Sequence, residues 1–249
     1  MLNYIRSELY RITHTRAAYV TAAILSAGIL VINLVLHFWG GGVNYYGHTS
    51  FSYALNISEP FLYVIMGAVV AFTLYESRRK NGNLKNTVAF GLTRPQIFIG
   101  QCISALLAAT AIMVVVLAVW LASAELLLSR TEIWTIGDFL SSTAYVYPLA
   151  VAGLVSAVFF IALFPRELSG VAVWIGIWNI LPMICALLGK KIDVLANIAA
   201  WLPSNFFTSD SIIRWWENPD ILEKALTSGV VGILVFGLLG VVLLRKQDL

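Results

Sequence analysis

Apolar residues along the chain fall into long runs separated by short polar clusters, the arrangement expected of helices that cross a bilayer. Lipid offers the backbone no hydrogen-bond partner, so a crossing segment must satisfy its own polar groups as a helix, which takes roughly 20 apolar residues. Six segments meet or approach that length: residues 17–39, 60–75, 97–124, 139–164, 170–188 and 225–244. The second is short, so it is expected to draw in the uncharged residues 55–58 or to cross where the bilayer thins. No composition shift or linker divides the chain, and no repeat of fixed period relates its halves. The pattern therefore predicts an all-α membrane protein, with a single transmembrane domain over residues 1–249.

Composition agrees and narrows the class. Of 249 residues, 59% are hydrophobic and 12% charged, about half the charge of an ordinary soluble domain, and the mean hydropathy is +0.84. An ordinary soluble enzyme is excluded. A formal charge of +3 is too small to argue for nucleic acid, so the 16 Lys and Arg matter through their placement. One set of alternate loops holds Arg6, Arg11, Arg16, Arg78, Arg79, Lys80, Lys85, Arg94, Arg166, Arg245 and Lys246. The opposite set holds Arg130, Lys190, Lys191, Arg214 and Lys224. The richer side is expected to be cytoplasmic, which places both ends of the sequence inside; Lys190 and Lys191 pull against that assignment. Cys102 and Cys185 fall inside apolar runs and read as small buried hydrophobes rather than a disulfide or a metal pair. No signal-peptide cleavage pattern precedes the first run.

The segments outside the crossings carry more information. Leu2, Ile5, Leu9 and Ile12 fall on one stripe of a helix, with Arg6, Arg11 and Arg16 placed to reach phosphate or water, which predicts an interfacial helix over residues 1–16. Residues 40–58 carry no Lys, Arg, Asp or Glu but hold Tyr45, Tyr46, Phe51 and Tyr53. Such rings suit the outer headgroup zone, whether as an anchor or as the lining of an exit. Between the fifth and sixth crossings, Ile192, Leu195, Ile198, Ala199 and Leu202 keep helical spacing before Pro203. A full crossing is excluded by Lys190, Lys191, Asp193 and Pro203, so a short helix dipping into the outer leaflet is predicted. In the last crossing Gly229, Gly232, Gly237 and Gly240 lie within an arc of about 140°. That face is a candidate for helix packing or for a dimer contact.

The cytoplasmic loop from residue 76 to residue 97 is the most ordered in its residue pattern. A basic patch, Arg78, Arg79 and Lys80, leads through Asn81 and Gly82 into a stretch where Leu84, Val88 and Leu92 form an apolar edge. Gly91 is placed to end that helix, and Thr93, Arg94, Pro95 and Gln96 match a capping box with proline in the first turn of the next. A short helix held between two turns is predicted, placed to pass force from a partner into the second and third crossings. A loop that only sets topology needs the charges but not this order.

The order Glu76, Gly82, Leu84, Lys85, Asn86, Gly91, Thr93, Arg94, Ile97, Gly100 resembles the loop after the second crossing in permease subunits of type-2 ATP-binding-cassette exporters, among them the small peptide and antibiotic exporters and immunity permeases. Asn83 stands where that family usually has threonine, and Gln101 where it often has lysine. The resemblance implies a six-crossing permease of a bacterial plasma membrane. It implies a coupling helix within residues 76–94, which in the family docks on a separate ATPase subunit present in two copies. It also implies a second permease copy, identical or related. ATP and Mg would be bound by the ATPase and no cofactor by this chain, whose only Gly-Lys pair, Gly189 and Lys190, has Ile184 where the first glycine of a P-loop should stand.

Other classes find less support. The chain has no His-Glu-x-x-His or Gly-x-Ser-x-Gly motif, and His14, His37 and His48 are scattered around the first crossing, so no catalytic site is predicted and the chain itself is not read as an enzyme. A proton-coupled carrier or channel wants an intramembrane carboxylate; Glu125 is the one candidate, and snorkelling beside Leu126 and Arg130 explains it more simply. Asn33, Asn179 and Pro182 read as interhelical hydrogen bonding and bending. The expected cargo is an amphiphile, an amphipathic or antimicrobial peptide by analogy with the family.

Overall fold

In the computed structural model, the residues described are 1–39, 45–46, 64–65, 67–74, 91–130, 136–164, 167–205 and 218–245. Apart from a two-residue parallel bridge joining Tyr45–Tyr46 to Ser129–Arg130, they are helical or connect helices. We number the α-helices in chain order: α1 (Leu2–His14), α2 (Arg16–Trp39), α3 (Arg94–Leu127), α4 (Ile136–Leu163), α5 (Glu167–Ile175), α6 (Leu181–Gly189), α7 (Asp193–Ala200) and α8 (Pro219–Arg245). A π-helical turn, Gly176–Ile180, joins α5 to α6 into one rod.

Among the described residues, five helices are long and apolar enough to cross a membrane: Arg16–Phe38, Arg94–Leu127, Thr143–Leu163, Leu168–Gly189 and Pro219–Arg245. They coincide with five of the six crossings expected from hydropathy. The remaining one, residues 60–75, is described only at 64–65 and 67–74, which are helical. Residues 40–44, 47–58 and 206–217, with most of the two loops expected on the outer side, lie outside the described residues.

Helix α4 is the centre of the bundle. Of its apolar stretch 61% is buried, against 11% to 28% in the other four. Among the helices numbered above, α8 makes the most extensive contact with it; α3 and α5 also pack on it, and α3 in turn carries α1, α2 and part of α8. The helical segment 67–74 crosses α4 where both chains lack side chains. A Cβ on Gly67 would meet the Ala150 carbonyl, and one on Gly153 would lie 2.8 Å from the Val64 Cα. Absence of side chains there lets backbones approach to direct contact, the usual route to close helix packing in lipid.

Polar side chains join the rods across this apolar interior. Asn33 of α2 donates its amide to Ser123 Oγ of α3 at 2.7 Å, fully buried, as expected of an asparagine inside a crossing. The Thr110 and Tyr147 hydroxyls meet at 2.7 Å between α3 and α4. The Ser156 hydroxyl of α4 accepts both the Trp174 and the Trp178 indole N–H, at 2.9 and 3.0 Å, and donates to the Gly153 carbonyl at 2.8 Å. Around that serine, Phe159, Phe160, Phe236 and the two tryptophans stack edge to face or tilted.

Two indole donors on one acceptor make Ser156 a point where a small change is felt. Ser156→Ala leaves both N–H groups without that acceptor, at a cost of about 1–3 kcal/mol given the modest worth of hydrogen bonds inside membranes. The purified variant is expected to melt several degrees below wild type, with altered near-ultraviolet dichroism from the tryptophans; coincident melting curves would show that the indoles find other acceptors.

The π turn has a local cause. Pro182 has no N–H to offer the Trp178 carbonyl, so a regular α-helix would leave that carbonyl without its bond. The wide turn closes just before it, with the Leu181 N–H donating to the Gly176 carbonyl. Next to Pro182 the rod carries one wide turn, a common way for a helix to absorb an interruption.

Candidate functional site

The residues singled out by sequence divide between the loop over residues 76–94 and a glycine face. Of the loop positions, Glu76, Gly82, Leu84, Lys85 and Asn86 lie outside the described residues, as does the helix expected there. The two roots of the loop are described, at residue 74 and at residue 91.

The return root is set by local chemistry. Gly91 is exposed and has φ of +83°, the left-handed region that glycine enters without the clash a Cβ would cause. Two residues on, Thr93 is the N-cap of α3 in a capping box, with its N–H donating to Gln96 Oε1 at 3.0 Å and proline in the first helical turn. Arg94 opens the helix and is half-buried. The turn and capping box read from Gly91, Thr93, Pro95 and Gln96 are therefore present.

The departing root is held by α1. Glu8, 5% exposed, pairs with Arg11 at 3.0 Å. The Arg11 guanidinium also donates to the Leu74 carbonyl, at 3.3 Å from Nη1 and 3.4 Å from Nη2. A charged donor makes a stronger hydrogen bond to a carbonyl than a neutral one, so the guanidinium ties α1 to the last described residue of the segment 67–74. At its other end α1 lays the Tyr4 ring where a Cβ on Gly100 would be. One short helix therefore touches the chain on both sides of the loop.

The face by which α1 does this is displaced from the expected one. Tyr4, Glu8 and Ile12 are buried, while Leu2 is exposed and Ile5 and Leu9 are half-buried. Ile12 alone belongs to both sets. The buried edge sits about 80° around the helix from the aliphatic stripe, at 100° per residue. The polar pair on that edge matches a carbonyl at the loop root, and the aliphatic stripe is left to the surroundings. Arg11, expected to face phosphate or water, is turned inward to Glu8 and Leu74.

The glycine face of α8 also divides. Gly229 packs on Pro148 and Leu149, Gly232 on Ala152, and Gly240 on the Phe98 ring, all contacts within the chain. A Cβ on Gly237 meets nothing within 4 Å. Gly237 sits at one edge of the arc, about 80° from Gly229, and so misses the packing line that the other three share.

The described side chains around the loop roots supply hydrogen bonds and an ion pair. Among the described residues, no group of three or more His, Cys, Asp or Glu could hold a metal ion, and Cys102 and Cys185 are free thiols on α3 and α6. Glu125 is exposed near the end of α3, and the His37 ring nitrogen Nδ1 lies 2.6 Å from the Leu127 carbonyl. Sequence reasoning missed the Ser156 hub, the Gly67 and Gly153 crossing and the Arg11 clamp. The glycines themselves were visible, but not which helix each would meet. Compared with protein-family models and with curated proteins, the chain matches none.

Proposed function

We propose that the chain is the transmembrane subunit of an ATP-driven exporter of the type-2 class. It would work in a bacterial plasma membrane with both ends of the sequence cytoplasmic, as a homodimer or paired with a related permease. The carrying observation is the loop between residues 74 and 91. Its residue order resembles the coupling loop of that class, and both of its roots are fixed, one by the Arg11 clamp on Leu74 and the other by Gly91 and a capped helix. A loop whose ends are set in this way transmits a push rather than absorbing it. A sixth crossing at residues 60–75 completes the expected topology.

In this reading two copies of a separate ATPase bind ATP and Mg and press on residues 76–90. The displacement enters α3 at Arg94 and reaches the second crossing through residues 67–74. The backbone contact of that segment with α4 carries it into the centre of the bundle. The short helix α7 dips into the outer leaflet beside the fifth crossing, and the cargo is an amphiphile, with an amphipathic or antimicrobial peptide the first to try.

Affinity purification of the tagged full chain from mild-detergent extracts is the direct test. An ATPase subunit with a P-loop should accompany it in equal amount, and ATP hydrolysis by the pair should respond to cargo. A chain that comes down alone and transports under an ion gradient, with transport blocked by Glu125→Gln, would overturn the exporter reading in favour of a carrier.

A further inference from the structure

The turn between α6 and α7 presents a pattern that neither topology nor coupling uses. Lys190 and Lys191 are both exposed at the tip of this helical hairpin, and neither side chain has an ion pair or hydrogen bond among the described residues. The nearest carboxylate in sequence is that of Asp193, in the first turn of α7, where it meets the helix dipole rather than either ammonium group.

From that tip the chain folds back along the fifth crossing. Gly189 packs against the backbone of Ala196. Beyond α7, the Asn205 amide reaches the carbonyls of Ala199, at 3.2 Å, and of Pro182, at 3.4 Å. Pro182 stands seven residues below Gly189, so α7 and its end return about 10 Å along the rod at 1.5 Å per residue. That is the depth of a headgroup layer and the first part of an acyl chain. The flanks of the hairpin are apolar and exposed: Leu187, Val194, Ile198 and Trp201 are 54%, 66%, 48% and 45% accessible.

We infer that the Lys190–Lys191 turn is a binding site for the phosphate of an anionic phospholipid, with the acyl chains lying along the apolar flanks of α6 and α7. Two adjacent cations with no partner among the described residues, set above an apolar surface, complement a ligand that is anionic at one end and hydrocarbon at the other. The same site accounts for two lysines on the side of the membrane where basic residues are otherwise few. The inference rests on the membrane-spanning part of the proposed function and not on the ATPase.

The test uses the full chain in phosphatidylcholine vesicles carrying a minor fraction of spin-labelled phosphatidylglycerol or spin-labelled phosphatidylcholine. Wild type should immobilise the anionic probe preferentially. Lys190→Gln with Lys191→Gln should lower that preference by up to about thirtyfold, in line with the attraction of two basic residues near an anionic surface. Lys190→Arg with Lys191→Arg should keep it. Equal preference in wild type and the glutamine variant overturns the inference. So does displacement of the probe by millimolar-range inorganic phosphate, which marks a site for a free anion. Lysine-dependent binding of an acidic peptide to the chain in pure phosphatidylcholine, with no lipid preference, overturns it in favour of a protein partner. Release of the chain from vesicles by alkaline carbonate overturns the membrane reading itself, which separates that failure from the others.

Discussion

Gly153→Leu is expected to prevent recovery of a stable, monodisperse chain, the largest structural effect of any single substitution considered. The added Cβ would lie 2.8 Å from the Val64 Cα and 2.9 Å from its carbonyl carbon. These are backbone atoms of the opposing helix, so no rotamer change relieves the clash and the helices must separate. Separation undoes the companion contact at Gly67, where a Cβ would sit 3.1 Å from the Ala150 carbonyl carbon and the Leu154 nitrogen. It also pulls on the Gly153 carbonyl that accepts the Ser156 hydroxyl. Overpacking a well-filled core costs about 1–3 kcal/mol when side chains can move and more when they cannot. A loss of about 3 kcal/mol lowers the melting temperature of a chain this size by roughly 6–12 °C. Gly28→Leu is the control, because a Cβ there meets nothing within 4 Å and leucine is the better helix former. Gel filtration after graded heating should show the first variant aggregating well below wild type and the second melting with it. If the two behave alike, the close crossing is not what holds α4 to the second crossing.

Why the crossings were legible and their pairing was not follows from what each depends on. Crossing the bilayer is a property of one segment, set by about 20 apolar residues and the need to satisfy the backbone internally. Thus 17–39 and 225–244 anticipate Arg16–Phe38 and Pro219–Arg245 closely. The N-cap at Thr93, the turn at Gly91 and the short helix at Asp193–Ala200 are likewise local, written in a few neighbouring residues. Packing is a relation between segments. Lipid is as apolar as leucine, so hydropathy says nothing about which face turns inward. That is why the buried edge of α1 differs from its aliphatic stripe, and why Gly237 parts from Gly229, Gly232 and Gly240. The Trp174 and Trp178 spacing of four places both rings on one side of a helix, but the serine that joins them lies on another rod. An interruption of the helix at Pro182 was foreseeable, although nothing in the sequence says whether a π turn or a kink absorbs it.

If the proposed exporter reading holds, Leu84→Asp and Glu76→Lys are each expected to strip the partner ATPase from the purified chain while the chain still inserts and folds. Leu84 is the apolar residue of the loop edge most central between the roots, and a buried contact of that kind in a protein interface carries about 2 kcal/mol or more when it is a hot spot, a loss of at least tenfold in affinity. Aspartate also places a charge in the interface with no partner, which adds to the cost. Glu76 stands next to the Arg78 to Lys80 patch, and its reversal to lysine leaves four like charges crowded where the loop departs. Gly91→Val acts differently. It removes no contact, since a Cβ at Gly91 meets open space, but it disfavours φ of +83° by about 1–2 kcal/mol. The loop would then return to α3 along another path. That variant should retain the ATPase while losing most cargo-stimulated hydrolysis, so binding and coupling separate. Side-by-side measurement of the copurified ATPase and of its stimulated turnover distinguishes the three substitutions. If all three keep wild-type stoichiometry and stimulation, residues 76–94 only set topology, and the force must enter the bundle elsewhere.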